Sequence, residues 1–316
     1  MITLQWLYTL AGLMFAAFAL LSAVDASNPK RLGNAAFWGL MALSLLVGDR
    51  IGDFANGLLV LGLAGLAGFG MIGRSHPPTT TDEERQVWSG RLGNRLFLPA
   101  LIIPATALFG TLLYNYTPLG TLGWFEAKRE TYVLLGLGVL LAIAAIFAWL
   151  KPPAIAPLQE GRRLMDSVGW AAVLPQMLAA LGAVFALAGV GEVVGGIAGD
   201  AIPDGSLFAA VAAYAIGMAL FTMIMGNAFA AFPVMTAAIG IPILIGDYGG
   251  EPAIVCAIGM LAGFCGTLMT PMAANFNIVP AVLLDLKDQN GVVKAQVGTA
   301  IPLLVVNLLL IYFLAF

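Results

Sequence analysis

Asn275 and Asn277 stand two residues apart in the stretch Phe264 to Leu284, FCGTLMTPMAANFNIVPAVLL, with Thr267, Thr270, Pro271 and Pro280 around them. A second stretch, Met223 to Thr236 (MIMGNAFAAFPVMT), repeats the mixture with Gly226, Asn227, Pro233 and Thr236. An asparagine amide both donates and accepts hydrogen bonds, so it can hold a small solute without carrying charge. Each proline lacks an N–H and disturbs the turn before it, which frees backbone groups for other partners. Both stretches sit in long uncharged runs, one between Asp204 and Asp247 and one between Glu251 and Asp285. An anion bound there would have to rely on backbone N–H groups and on Asn and Thr side chains. Helix N-termini exposed at such breaks carry partial positive charge and free amides. The substrate-binding candidates are therefore Asn227, Thr236, Thr270, Asn275 and Asn277. Gly226, Gly266 and Thr267 mark loosened backbone where a coupling ion, Na+ or H+, could be held. On an intact helix, residues two apart face different directions. In an unwound segment Asn275 and Asn277 can both point into one cavity. The plainer alternative is that each stretch is only a packing kink with an interhelical hydrogen bond.

The surroundings of these stretches set the fold class. The chain is 60% hydrophobic and 10% charged, with a mean hydropathy of +0.95. Soluble domains carry about 25% charged residues, so the chain reads as an all-α polytopic membrane protein. Spans of about 20 residues are expected near 2–23, 34–48, 54–73, 96–115, 131–150, 168–190, 206–225, 228–246, 253–284 and 297–316. The ninth is too long for one straight crossing. Non-helical backbone at membrane depth survives only inside the protein or along a watery cavity, so broken or re-entrant helices are expected in the C-terminal half. The loop KPPAIAPLQEGRR divides a scaffold and partner-contact half, 1–150, from a transport-site half, 151–316.

Placing the N-terminus outside puts Lys30, Arg31, Arg74, Arg85, Arg91, Arg95, Lys151, Arg162, Arg163, Lys287 and Lys294 inside. Arg50, Lys128 and Arg129 fall outside, which is a strong positive-inside bias. Both termini are then outside. The N-terminal run lacks the basic n-region of a signal peptide and reads as the first span. In the longest inner loop, TTTDEE is a cap for a short surface helix. Gly62, Gly65 and Gly68 give small-residue spacing for close helix approach. Gln176 after Pro175 reads as a kink with a satisfied amide, Asn307 as glue between helices, and Asp49, Arg50 and Asp53 as interface charges. Glu192, among Gly191, Gly195 and Gly199, marks either an outer re-entrant turn or a glycine-rich span end. Cys256 and Cys265 read as small apolar packers, and His76 as a solvated loop residue. The chain has one histidine and no HExxH, P-loop or GxSxG motif. Neither an enzyme nor a cofactor is expected.

The segments CGTLMTPMAANFNIVPAVLLDLKD (Cys265–Asp288) and MGNAFAAFPVMTAAIGIPIL (Met225–Leu244) resemble signature segments of a bacterial membrane family. That family, formerly a domain of unknown function, is the larger subunit of a two-subunit 5-oxoproline (pyroglutamate) transporter. The resemblance runs over the whole chain and implies a secondary carrier for a small organic anion in the bacterial inner membrane. It also implies a smaller membrane subunit as partner, and a distant similarity to the ion-transporter superfamily with its paired hairpins. 5-Oxoproline has a carboxylate and a lactam N–H and C=O, groups that Asn and Thr side chains and helix N-termini match. The alternative function is a non-transporting assembly partner of a neighbouring carrier.

Overall fold

The computed structural model describes every residue except Met1, Pro78, Ala127, Asp204 and Asp285. Among the described residues the chain is helical, with a single bridge between Ile2 and Phe125 in place of any strand. Eight helices among the described residues are long and apolar enough to cross a membrane. The protein is an all-α polytopic membrane protein. The contacts divide it into two units, Met1–Gly169 and Trp170–Phe316. The division thus falls after the helix that follows KPPAI, not at residue 150, because that helix packs within the first unit.

In the first unit, α1 (Leu4–Val24) packs on α2 (Arg31–Gly68). Helix α2 holds the two spans expected at 34–48 and 54–73. Gly52, at φ 76° and ψ 167°, reverses the chain between them, a conformation open only to glycine. The arms then run back along each other: Asn56 Nδ2 donates to the Gly48 carbonyl at 2.8 Å, and Asn34 pairs with the backbone of Gly73 at 2.6 and 2.8 Å. Asp49, Arg50 and Asp53 lie exposed at this turn, as expected of interface charges. Of the glycines at 62, 65 and 68, only Gly62 meets a neighbour, Leu40. Helix α3 (Asp82–Leu92) begins at the expected cap: Thr81 accepts from the Glu84 amide while the Glu84 carboxylate accepts from the Thr81 amide. Helices α4 (Leu98–Tyr116) and α5 (Glu130–Leu150) form an antiparallel pair. The amphipathic α6 (Ala156–Val168) buries Arg162 and Asp166. Arg162 Nη2 lies 3.0 Å from Asp25, and Nη1 donates to the Leu21 carbonyl at 2.7 Å. Trp38 Nε1 donates to Asp166 at 2.7 Å, and the Ser75 hydroxyl donates to the other carboxylate oxygen.

In the second unit, α7 (Leu174–Leu187) and α8 (Val190–Ala201) flank a compact group. Helix α7 starts after a 3-10 turn at Gly169–Val173. Pro175 therefore lies in its first turn, where no intrahelical N–H is missed, and Gln176 is exposed. Among the described residues the Gln176 amide makes no hydrogen bond, and Pro175 lies at the start of the helix and not mid-span. Gly191 and Gly195 bring α8 against Ala237 and Ala238, while Gly199 meets nothing within 4 Å. The group itself comprises α9 (Leu207–Met225), α10 (Ala228–Met235) with its π-helical continuation Thr236–Asp247, α11 (Pro252–Leu268), the short α12 (Ile278–Leu283) and α13 (Gly291–Leu314). Pro233 and Pro242 interrupt the ordinary ladder of the α10 arm, and a widened pitch accommodates such interruptions. The core of the unit is formed by Val211, Tyr214, Met218, Ile239, Leu244, Val255 and Ile311, none more than 2% exposed. Asn307 Nδ2 reaches Cys265 Sγ at 3.4 Å and so joins α13 to α11, as expected.

Candidate functional site

The two polar stretches both break helices, and the breaks meet. Helix α9 ends at its cap Gly226, whose φ of 76° turns the chain, and α10 begins two residues later, at Ala228. Gly217 lies against Met235, and Tyr214 against both Thr236 and Gly240, so α10 returns antiparallel along α9. Residues 226–227 are therefore the tip of a helical hairpin. Helix α11 runs parallel to α9, since Gly259 packs on Tyr214, Gly263 on Met218 and Thr222, and Gly266 on the Ala219 backbone. The absence of side chains at these glycines is what lets two backbones approach closely. The parallel course brings the C-terminal ends of α9 and α11 together. A methyl group at Gly226 would lie 2.5 Å from the Met272 carbonyl oxygen. The Thr270 hydroxyl crosses the junction and donates to the Met223 carbonyl at 2.9 Å.

Beyond Leu268 the chain is non-helical until Ile278. Helix α13 runs antiparallel to α11, with Glu251 N donating to the Ala315 carbonyl at 2.9 Å and Asn307 touching Cys265. Past Cys265, α11 adds only one more turn, whereas α13 continues from Asn307 back to Gly291, about 24 Å at 1.5 Å per residue. The long ninth span is thus an interrupted helix, in which 269–277 and α12 complete the path.

Asn277 is fully buried, and its Nδ2 donates to the carbonyls of Thr267 (2.9 Å) and Thr270 (2.7 Å). The Thr267 carbonyl is one that the end of α11 leaves without a helical partner, and the Thr270 carbonyl lies just beyond it. Its Oδ1 is buried without a partner, as is the hydroxyl of Thr222 on α9. Asn227 caps α10, accepting from the Phe229 amide at 2.7 Å. Asn275 is half-buried, and its side chain makes no hydrogen bond among the described residues. The Thr267 hydroxyl donates back to the Gly263 carbonyl at 3.3 Å.

Thr236 stands apart from the other candidates. Its hydroxyl pairs with Tyr214 OH at 3.1 Å in the core, nine residues down α10 from Asn227, or about 13 Å along a helix. The junction therefore gathers Gly226, Asn227, Gly266, Thr267, Thr270, Asn275 and Asn277. It also draws in Thr222, Met223 and the Met272 carbonyl, which the sequence reading passed over. Thr222 fell one residue before the stretch singled out, and its signal was a hydroxyl four residues from the glycine that ends α9. The junction carries hydrogen-bonding groups of both signs and no ionisable side chain. No group of three His, Cys, Asp or Glu residues suited to a metal is present among the described residues.

Over residues 5–316 the chain matches the model of a family described as a protein of unknown function (DUF979), and it belongs to that family. No curated protein and no solved structure matches it.

Proposed function

We propose that this chain is the larger subunit of an ion-coupled secondary carrier for a small organic anion, 5-oxoproline by the resemblance of its two signature segments. It works in the bacterial inner membrane with a smaller membrane subunit, by alternating access, with both termini outside. It is a carrier and not an enzyme. One observation carries the reading: two helix breaks, each rich in Asn, Thr and Gly, abut within one unit, the Gly226 backbone against the Met272 carbonyl. Discontinuous helices of this kind place backbone dipoles where transporters bind solutes and ions.

The solute's carboxylate would meet the first amides of α10, at Ala228 and Ala230, where the helix dipole is positive. Asn227 Nδ2 and the unengaged Asn275 amide would meet its lactam N–H and C=O. Thr270 and Asn277 hold the breaks in shape, and Thr236 belongs to the packing of α9 on α10. The test is uptake of labelled 5-oxoproline into proteoliposomes carrying the chain with its smaller subunit, with each subunit reconstituted alone as control. Uptake that needs both subunits and a cation gradient is the expected result. Full uptake by the smaller subunit alone would favour the assembly-partner reading and end this one.

A further inference from the structure

Two buried oxygens at the junction lack partners: Asn277 Oδ1 and Thr222 Oγ1, each on a side chain with no exposed surface. They border the last two turns of α11 and the residues just beyond it. Thr222 Oγ1 packs at Gly263, and the Asn277 amide is bonded to Thr267 O and Thr270 O. The Asn277 orientation is fixed by chemistry, because only its nitrogen can donate to two carbonyls. Its oxygen therefore needs a donor or a cation, since a buried polar atom left unmatched is disfavoured. The surroundings favour the cation. Helices α9 and α11 both end here, and helix C-termini carry partial negative charge.

We propose that the C-terminal end of α11 holds one alkali-metal cation on Thr222 Oγ1, Asn277 Oδ1 and backbone carbonyls of the converging α9 and α11 ends. The inference rests on the carrier reading of the same junction and identifies the class of its coupling ion. Three features select the class. Neutral oxygens alone line the site, and divalent Ca2+ and Mg2+ recruit carboxylates, which neither uncharged run contains. Soft or borderline metals take Cys or His nitrogen and sulfur, and the one nearby thiol, Cys265, is engaged by Asn307. A proton has no ordinary acceptor to titrate: from Ser206 to Gly246 and from Pro252 to Leu284 the titratable side chains are Tyr214, Cys256 and Cys265. A bound monovalent cation also supplies the positive charge that a monoanionic solute needs and that no Lys or Arg provides in either run.

The test is thermal unfolding of the purified full-length chain in detergent, with NaCl, KCl or choline chloride at equal ionic strength. A ligand that binds only the folded state raises the midpoint in proportion to its saturation. Wild type should melt several degrees higher in Na+ or K+ than in choline. Thr222→Val should weaken the apparent alkali-cation affinity more than tenfold while melting in choline no lower than wild type. Thr222→Ser should keep the response. Equal melting in all three salts, or a Thr222→Val variant that keeps the full response, would overturn the site. The parallel uptake assay separates this from the carrier reading. A cation-dependent shift without 5-oxoproline transport keeps the cation site and sinks the carrier. Transport without any alkali-cation effect keeps the carrier and sinks the cation site.

Discussion

The two units solve the membrane problem by different means. The first breaks one helix, α2, at Gly52 and gathers its buried polar residues at one end. There Arg162, Asp25, Asp166, Trp38 and Ser75 tie α6 to the α1–α2 layer. The second carries hardly any charge in its interior, breaks its helices, and satisfies the freed backbone with Asn and Thr. Two glycines with the same φ of 76° show the contrast. Gly52 turns α2 in open space, with nothing within 4 Å of an added methyl group. Gly226 turns α9 against another backbone. The positive φ in the first unit is about chain reversal alone, whereas in the second it also joins two broken segments. This teaches that the kind of break, and not its mere presence, separates scaffold from candidate site.

Substitutions in each unit should separate the two kinds of break. The largest expected effect is in the first unit. Arg162→Met takes the buried guanidinium from the half-buried Asp25 carboxylate and from the Leu21 carbonyl and should cost about 3–5 kcal/mol, read as a lowered melting midpoint of the full chain. Gly226→Ala should follow, at about 3 kcal/mol, from left-handed strain together with overlap at the Met272 carbonyl. Gly52→Ala carries only the strain of its backbone conformation, about 1–3 kcal/mol, and should melt above Gly226→Ala. Equal losses at the two glycines would remove the distinction.

The smallest expected effect is on pH dependence. Burial pushes the Asp25 carboxyl up, but the Ser27 hydroxyl and amide and the Arg162 guanidinium outweigh it and hold Asp25 below its ordinary value. A depressed carboxyl contributes stability that is present above its unfolded value and is lost as pH falls through the folded one. Melting midpoints measured downward from neutral pH should therefore drop less for Asp25→Asn than for wild type. Asp166 has the opposite sign. Burial raises it despite hydrogen bonds from Ser75 and Trp38 and the Arg162 charge. Its contribution is present at low pH and fades as pH rises through the raised value, so Asp166→Asn should remove that component.

Much of this was legible from residue types. Charge-free runs with Pro, Gly, Asn and Thr at their centres pointed to both breaks, because those residues release or cap backbone groups in a medium that offers no water. TTTDEE marked the start of α3, and GDRIGD marked the reversal in α2. What stayed hidden depended on which helix lies beside which. Thr236 has the same composition signal as Thr270, yet it pairs with Tyr214, since α10 returns along α9 and carries it away from the tip. Nothing local to Asn277 says that its amide would cap α11, nor that Thr222 would lie across from Gly263. The parallel course of α9 and α11 follows from glycines at 259, 263 and 266. Their role shows only once the facing residues are known.

On the carrier reading the joined breaks receive the solute, with Asn275 as the amide left free to meet it. Equilibrium binding of labelled 5-oxoproline to the purified two-subunit complex tests this most directly, comparing wild type with Asn275→Ala at matched melting midpoints. Wild type should bind saturably, and the variant's affinity should be weakened at least tenfold, about 1.4 kcal/mol or more. Undiminished binding by a folded Asn275→Ala complex would contradict it.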